Sequence, residues 1–302
     1  MIDRACLSIN NSCNLHCRYC NFRQTELITN DEKLNESDID RILFNILEYS
    51  RKNNISLFKL GIVGAGEPLL NFDIIKYIIQ YVKQKDADNI LSFYTITNGT
   101  LINDSIIAFF YKNKQRITLN FSLDGYEELH NYGKEAFKKT IYGIKQYEDL
   151  FNEKPILNCT VSRKTTENKE AVIDFFIKNG FENVNFSQLV DVEEQNLVIT
   201  YEEYQKYLQY IQGTKIIFRQ NRKEKKYDCR TYGQLCGAGR TNIFITKQGI
   251  YPCCRFYKNE NYKIADTDTA LFEVEEKMLK MIKPVKDGKC YYNINILKRS
   301  DL

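Results

Sequence analysis

Between residues 6 and 211 the chain alternates six times between a short β-rich run and a longer amphipathic stretch. The apolar runs lie at 6–10, 58–63, 92–97, 117–123, 156–161 and 183–188. The amphipathic stretches follow them at 36–51, 74–83, 104–112, 134–148, 166–179 and 202–211. In the first of these, Ile39, Ile42, Leu43, Ile46 and Leu47 recur at helical spacing. Strands alternating with helices of this length call for a parallel sheet with right-handed crossovers. No glycine-rich dinucleotide turn follows the first run. The expected fold is therefore α/β, a partial (β/α)6 TIM-like barrel over residues 1–212, and not an open Rossmann sheet. Functional residues then belong at the C-terminal ends of the strands.

The pattern changes after Gly213. Residues 219–226 are polar and charged and read as a solvated linker. Residues 242–246 and 250–252, joined through Lys247-Gln248-Gly249, read as a β-hairpin, and a helix is expected over 271–282. Five of the ten cysteines fall in residues 213–302. That segment is too small for a second full core and suits a metal-stapled subdomain. No apolar run reaches the roughly 18–20 residues that span a bilayer, and no signal peptide precedes the first motif. A cytoplasmic, membrane-free protein with thiols kept reduced is expected. The net charge of +4 demands no nucleic acid, and none is expected as a partner. With only two histidines, His16 and His130, a metal site here must be nearly all sulfur.

The first cysteine set, Cys13-Asn14-Leu15-His16-Cys17-Arg18-Tyr19-Cys20, follows the first expected strand directly. Three thiolates in one short loop suit three corners of an iron–sulfur cube and leave one iron open to a small molecule. The alternative is a zinc knuckle of Cys13, His16, Cys17 and Cys20. The second set is Cys229, Cys236, Cys253 and Cys290, where the hairpin brings Cys236 and Cys253 together; here the alternative is a zinc site with four thiolate ligands. Cys6 and Cys159 lie in apolar runs and read as small core residues. Cys254 follows a candidate ligand directly.

The C-x3-C-x2-C loop with Tyr19 before its third cysteine resembles the radical S-adenosylmethionine (radical SAM) superfamily. Further marks follow in order: Gly64-Ala65-Gly66-Glu67-Pro68 after the second run, Thr97-Asn98-Gly99 after the third, and Ser122-Leu123-Asp124-Gly125 with His130 after the fourth. The last run is similar to the subgroup carrying C-terminal SPASM or twitch cluster domains. The resemblance implies that Cys13, Cys17 and Cys20 bind a 4Fe–4S cluster whose open iron takes SAM. Gly64, Gly66 and Glu67 would then hold the methionine amino group. Tyr19 would face the adenine, Ser122 would contact the ribose or carboxylate, and Asn98 and Asp124 complete the SAM-binding set. For Glu67 the bland reading is a helix cap. Residues 213–302 resemble a twitch domain holding one auxiliary 4Fe–4S cluster on Cys229, Cys236, Cys253 and Cys290, two clusters in all.

The resemblance also implies a reaction: one electron, from a donor such as flavodoxin or ferredoxin, cleaves SAM to a 5′-deoxyadenosyl radical. The expected substrate is a peptide or protein. The outcome is either oxidative, as in thioether or carbon–carbon cross-linking, or redox-neutral Cα epimerisation with Cys254 returning a hydrogen atom. Cys254 as a cluster ligand or an inert buried thiol are the plainer readings. The alternative function is a small-molecule dehydrogenase acting on an amino-sugar alcohol. Only 12 residues precede Cys13, so leader-peptide recognition is expected from a separate protein or from the barrel mouth.

Overall fold

The computed structural model describes residues 1–20, 22, 32–189, 192, 194–218, 230, 231, 234, 235 and 237–281. Its six leading strands are β1 (Arg4–Leu7), β2 (Phe58–Ile62), β3 (Leu91–Thr97), β4 (Ile117–Ser122), β5 (Leu157–Val161) and β6 (Val184–Gln188). They pair in sequence order, every pair parallel, as the βα alternation demands. A two-residue antiparallel pair, β7 (Arg230–Thr231) with β8 (Gln234–Leu235), stands apart. The hairpin of β9 (Asn242–Thr246) and β10 (Gly249–Tyr251) joins the main sheet instead. β9 runs parallel beside β1, with Arg4 opposite Asn242, and β10 forms the edge. The eight-stranded sheet thus runs β10-β9-β1-β2-β3-β4-β5-β6, and among the described residues β6 does not pair with β10, so the barrel is open on that side.

Each strand sorts its side chains by parity. Leu60 and Ile62, Leu91 and Phe93, Leu119 and Phe121, Leu157 and Cys159, and Val184 and Phe186 face outward into one continuous core. The helices cover that face. The first, α1 (Glu36–Lys52), starts at a capping box in which Asn35 and Asp38 exchange side-chain and backbone bonds, and it buries Ile39, Ile42, Leu43, Ile46 and Leu47. Next come α2 (Phe72–Lys85), α3 (Asp104–Lys112), α4 (Glu127–Lys134), α5 (Phe137–Phe151), α6 (Arg163–Glu167), α7 (Lys169–Lys178), α8 (Tyr201–Gln212) and α9 (Leu271–Met281). The opposite parity lines the barrel interior and is mostly polar, with Cys6, Gly61, Tyr94, Asn120, Ser122, Asn158, Thr160, Asn185 and Asn242 beside the apolar Ile96 and Phe244.

Two expected helices are divided. The stretch at 134–148 keeps only Lys134 in α4, a helix the pattern did not announce, and continues as α5, because Glu135 adopts a left-handed conformation (φ 52°) and Phe137 N–H bonds to Asn131 Oδ1 at 2.9 Å. The stretch at 166–179 is preceded by a short separate turn, α6, whose capping box joins Ser162 and Thr165. The first strand ends at Leu7 and not at residue 10, since Asn10 turns to bond Glu67 O at 3.1 Å. α9 returns onto α1, where Tyr49 hydroxyl bonds Glu275 at 2.7 Å and its ring lies 4.9 Å from that of Phe272. No helix of the described residues is long and apolar enough to cross a membrane.

Candidate active site

The loop carrying Cys13, Cys17 and Cys20 leaves β1 at the C-terminal end of the barrel, and the next three strands each send a turn to meet it. From β2 comes the glycine turn. Glu67 N–H donates to Ser12 O at 2.8 Å, and Ala65 N–H donates to Ser8 Oγ at 3.0 Å. The approach is close enough that a Cβ on Gly64 would sit 2.2 Å from Ser8 Oγ, and one on Gly66 would sit 2.1 Å from Asn10 Oδ1. Ala65 occupies the middle of this turn, buried at 3% exposure, without needing positive φ.

From β3 comes Thr97-Asn98-Gly99, in which Gly99 takes a positive φ of 78°. Asn98 Nδ2 donates to Asn14 Oδ1 at 2.9 Å, and Asn14 Nδ2 donates to Thr100 Oγ1 at 2.8 Å. Glu67 joins the two turns: its carboxylate accepts from Thr97 hydroxyl (2.6 Å), Asn98 N–H (2.8 Å) and Leu69 N–H (3.2 Å). It therefore caps the short 3-10 turn Pro68–Asn71, as the bland reading has it, while staying almost fully buried. Burial raises its carboxyl above the ordinary value against these three lowering bonds.

From β4 comes the Ser-Leu-Asp-Gly turn with α4 behind it. Arg18 N–H donates to Gly133 O at 3.0 Å. The ring of Tyr19 packs against Gly133, where a Cβ would meet it at 2.3 Å, and its hydroxyl bonds Asp124. Asp124 is 3% exposed and accepts from Thr160 N–H at 2.9 Å. Lys134, missed in the sequence as one more lysine at a helix end, reaches this carboxylate at 3.2 Å and donates to Ser122 Oγ at 2.6 Å. Burial alone would raise Asp124, but Lys134, His130, Tyr19 and Thr160 N–H outweigh it, so the carboxyl sits below its ordinary value. His130 accepts from Asp124 N–H at Nδ1 (3.3 Å), and burial, with Lys134, pushes it down to about 4, so it is neutral near neutral pH. The spacing of Lys134 from His130, one helical turn on, was the available signal for its role.

The three cysteines are only partly exposed, as a site for a bound group requires. Burial pushes Cys17 up to about 12, with Cys20, Cys13 and Asp124 adding to the rise and Lys134 opposing it. A metal bound there holds a thiol as thiolate regardless. Among the described residues no three His, Cys, Asp or Glu gather round a single ion. A cluster does not need that, since each thiolate takes its own iron. The donor set fits a 4Fe–4S cube.

Of the second set, Cys229, Cys236 and Cys290 lie outside the described residues. Cys253 caps a 3-10 turn, Cys254–Phe256, its Sγ accepting from Arg255 N–H at 3.4 Å. Just after position 236, Gly239 N–H donates to Pro252 O at 3.0 Å. Cys254 and Cys253 pack with Ala65, Phe244, Tyr251, Phe256 and Tyr257 in a small apolar cluster that also takes in Cys6. Cys159 is buried core as expected. Cys6 packs against that small apolar cluster from the barrel interior, 4.0 Å from Tyr94 hydroxyl.

The family model of the Radical SAM superfamily matches residues 7–187. An uncharacterized protein of Methanocaldococcus jannaschii is 27% identical over 261 residues, covering 82% of this chain and 83% of that one. A cysteine-type anaerobic sulfatase-maturating enzyme of Clostridium novyi is 30% identical over 191 residues, 60% of this chain and 49% of the enzyme, so the chain spans about half of that relative. Among solved structures, anSMEcpe with bound AdoMet superposes with a TM-score of 0.75 at 18% identity, covering 92% of this chain and 79% of that one. SuiB of Streptococcus suis bound to precursor peptide SuiA gives a TM-score of 0.74 at 16% identity, with coverage of 98% and 73%. At these identities the likeness is one of fold. SAM and a 4Fe–4S cluster are the cofactors of the matched family, and the chain belongs to the radical SAM superfamily as a radical SAM enzyme with maturase-like relatives.

Proposed function

We propose that this enzyme modifies a peptide or protein, with Cys13, Cys17 and Cys20 holding the 4Fe–4S cluster. Gly64, Gly66, Glu67, Asn98, Ser122, Asp124 and Tyr19 form the surround for SAM. The observation that carries this reading is the three-sided anchoring of the cysteine loop: the turns after β2, β3 and β4 all bond to it. Bound there, the cluster and SAM together supply a 5′-deoxyadenosyl radical able to take a hydrogen atom from an unactivated C–H bond. The chain's own residues hold that loop and set its charge. Tyr19 clamps loop to helix through Gly133 and Asp124. Lys134 neutralises Asp124, and its charge opposes the rise that burial gives the Cys17 thiol. Glu67 fixes the glycine and Thr-Asn-Gly turns as one unit.

The peptide reading draws on the relatives: one matures sulfatases by its name, and SuiB is bound to a precursor peptide. We further infer that residues 213–302 form an auxiliary-cluster unit on Cys229, Cys236, Cys253 and Cys290. The contact of Gly239 with Pro252, between positions 236 and 253, favours it. Cys254, which packs against the apolar cluster of Ala65 and Phe244, is read as a hydrogen-atom donor and not as a ligand.

Anaerobic reconstitution tests the assignment. Two clusters require about eight irons per chain. Cys253→Ala should lose about half of that iron, and Cys254→Ala should lose none. If Cys254→Ala sheds iron, the donor reading fails. If Cys13→Ala, Cys17→Ala and Cys20→Ala still form 5′-deoxyadenosine, the catalytic assignment fails. Deuterium incorporation from heavy water at a peptide Cα would identify epimerisation, and a two-hydrogen mass loss would identify oxidation.

A further inference from the structure

The cysteine loop has a fourth neighbour besides the turns after β2, β3 and β4. Phe22, two residues past Cys20, stacks on Phe244 of β9 with ring centroids 6.5 Å apart and meets Tyr257 edge-on at 6.2 Å. Phe244 and Tyr257 in turn meet edge-on at 5.8 Å, so the three rings close a triangle. Aromatic pairs in such geometries attract beyond the area they bury. Tyr257 reaches further around the loop. Its hydroxyl donates to Glu32 and accepts from the Asn11 side chain. Lys258, at a left-handed φ of 60° that non-glycine residues seldom take, pairs with the same Glu32 at 2.9 Å. Asn11 stands two residues before Cys13, so one tyrosine touches both the entry to the loop and the exit from it. The turns after β2, β3 and β4 bond instead to the stretch between, at Ser12, Asn14, Arg18 and Tyr19. The ring cluster also includes Ala65, the middle of the glycine turn, and Cys253 packs against it.

We propose that Tyr257 is a positioning residue for the catalytic cluster: it clamps the two ends of the cysteine loop, and through Ala65 the same ring cluster steadies the turn that receives SAM. A loop that supplies metal ligands keeps their geometry only where supporting contacts hold it. Here those contacts come from the segment that also carries Cys253, so the C-terminal unit sets how tightly the open iron takes SAM from outside the ligand set. A hydroxyl bonded to a carboxylate is stronger than a neutral pair, and this one is shared with the Lys258 ammonium. The assignment rests on the reading that Cys13, Cys17 and Cys20 hold the cluster.

The test uses the full chain, reconstituted anaerobically with its clusters and reduced by dithionite, with SAM alone as the probe. SAM is titrated in while the electron paramagnetic resonance spectrum is followed, because it alters the signal of a cluster with an open iron. Tyr257→Phe keeps the ring and removes the hydroxyl bonds, and Lys258 still pairs Glu32 in that variant. The half-saturating SAM concentration should rise about tenfold, the weight of one hydrogen bond to a charged group. Tyr257→Leu should raise it further. The stability control is Tyr262→Leu, a ring stacked on Phe256 at 4.0 Å in the same cluster. It leaves the bonds to Asn11 and Glu32 intact and should lower the melting temperature without moving the SAM titration. Tyr257 variants that titrate as the wild type does overturn the clamp and leave the cluster assignment standing. A Tyr262→Leu shift as large as that of Tyr257→Leu overturns the clamp too, since general loosening then accounts for both. A wild-type spectrum indifferent to SAM overturns the cluster assignment and the clamp with it. If Tyr257→Leu does not fold, Tyr257→Phe decides alone.

Discussion

Replacing Lys134 by Met isolates the buried charge pair at the floor of the site. Lys134 and Asp124 side chains are 6% and 4% exposed and 3.2 Å apart. Methionine keeps most of the stem volume and removes the ammonium. The carboxylate then remains in a place where burial alone would raise its pKa, with Tyr19 hydroxyl and Thr160 N–H still bonded to it. Leaving one partner of a buried pair charged costs about 3–5 kcal/mol, and the two surviving bonds put the loss at the lower end, about 3 kcal/mol. For a chain of this size that is a fall in melting temperature of roughly 5 °C. The loss depends on pH in a defined sense. In the wild type the Asp124 pKa is depressed, so its stabilisation is present above the unfolded carboxyl value and disappears as pH falls through the folded one. In the variant the pKa is raised, so the penalty grows as pH rises from about 4. The two melting temperatures should converge in acid and separate toward neutrality. Lys134→Met/Asp124→Asn should recover most of the loss, because replacing both partners is far cheaper than replacing one. Thermal melts of cluster-loaded protein between pH 4 and 8 read all three. A single-variant loss below about 1 kcal/mol, or one that does not vary with pH, would refute the claim that the pair is buried and charged.

Other substitutions probe the anchoring of the cysteine loop. Gly133→Ala puts a methyl 2.3 Å from the Tyr19 ring, and overpacking of about 1–3 kcal/mol should lower iron occupancy at the first cluster. Gly66→Ala meets both Asn10 Oδ1 and the Ser12 carbonyl, so SAM affinity, measured by equilibrium dialysis, should fall more than melting temperature does. Asn14→Ala removes the bonds to Asn98 and Thr100 at an exposed position, costing under about 1 kcal/mol of stability. Its effect should appear in the rate of 5′-deoxyadenosine formation.

The order and direction of β1–β6 were legible because short apolar runs alternate with longer stretches that repeat at helical spacing. The cysteine loop and the turns that meet it were legible because their residues are adjacent in sequence. The break at Glu135 was not, since nothing about a glutamate announces a left-handed conformation. Lys134 was hidden for a related reason: lysine is a surface residue unless a carboxylate waits for it, and only the fold brings Asp124 to it. The inward turn of Cys6 depended on strand parity, which a short apolar run obscures. The pairing of β9 with β1 joins residues at opposite ends of the chain, and no local pattern foretells it.

That pairing has a temporal side. β1 leaves the ribosome long before the strand that covers its outer edge, which begins at Asn242. At ordinary rates of synthesis the interval is roughly 10–50 s. During that time the edge of a growing parallel sheet lies open, with its amides and carbonyls ready to pair with any passing strand. A nascent chain stalled before the hairpin should therefore aggregate or depend on chaperones, and release of the hairpin should mark the moment at which the barrel becomes safe in the crowded cell.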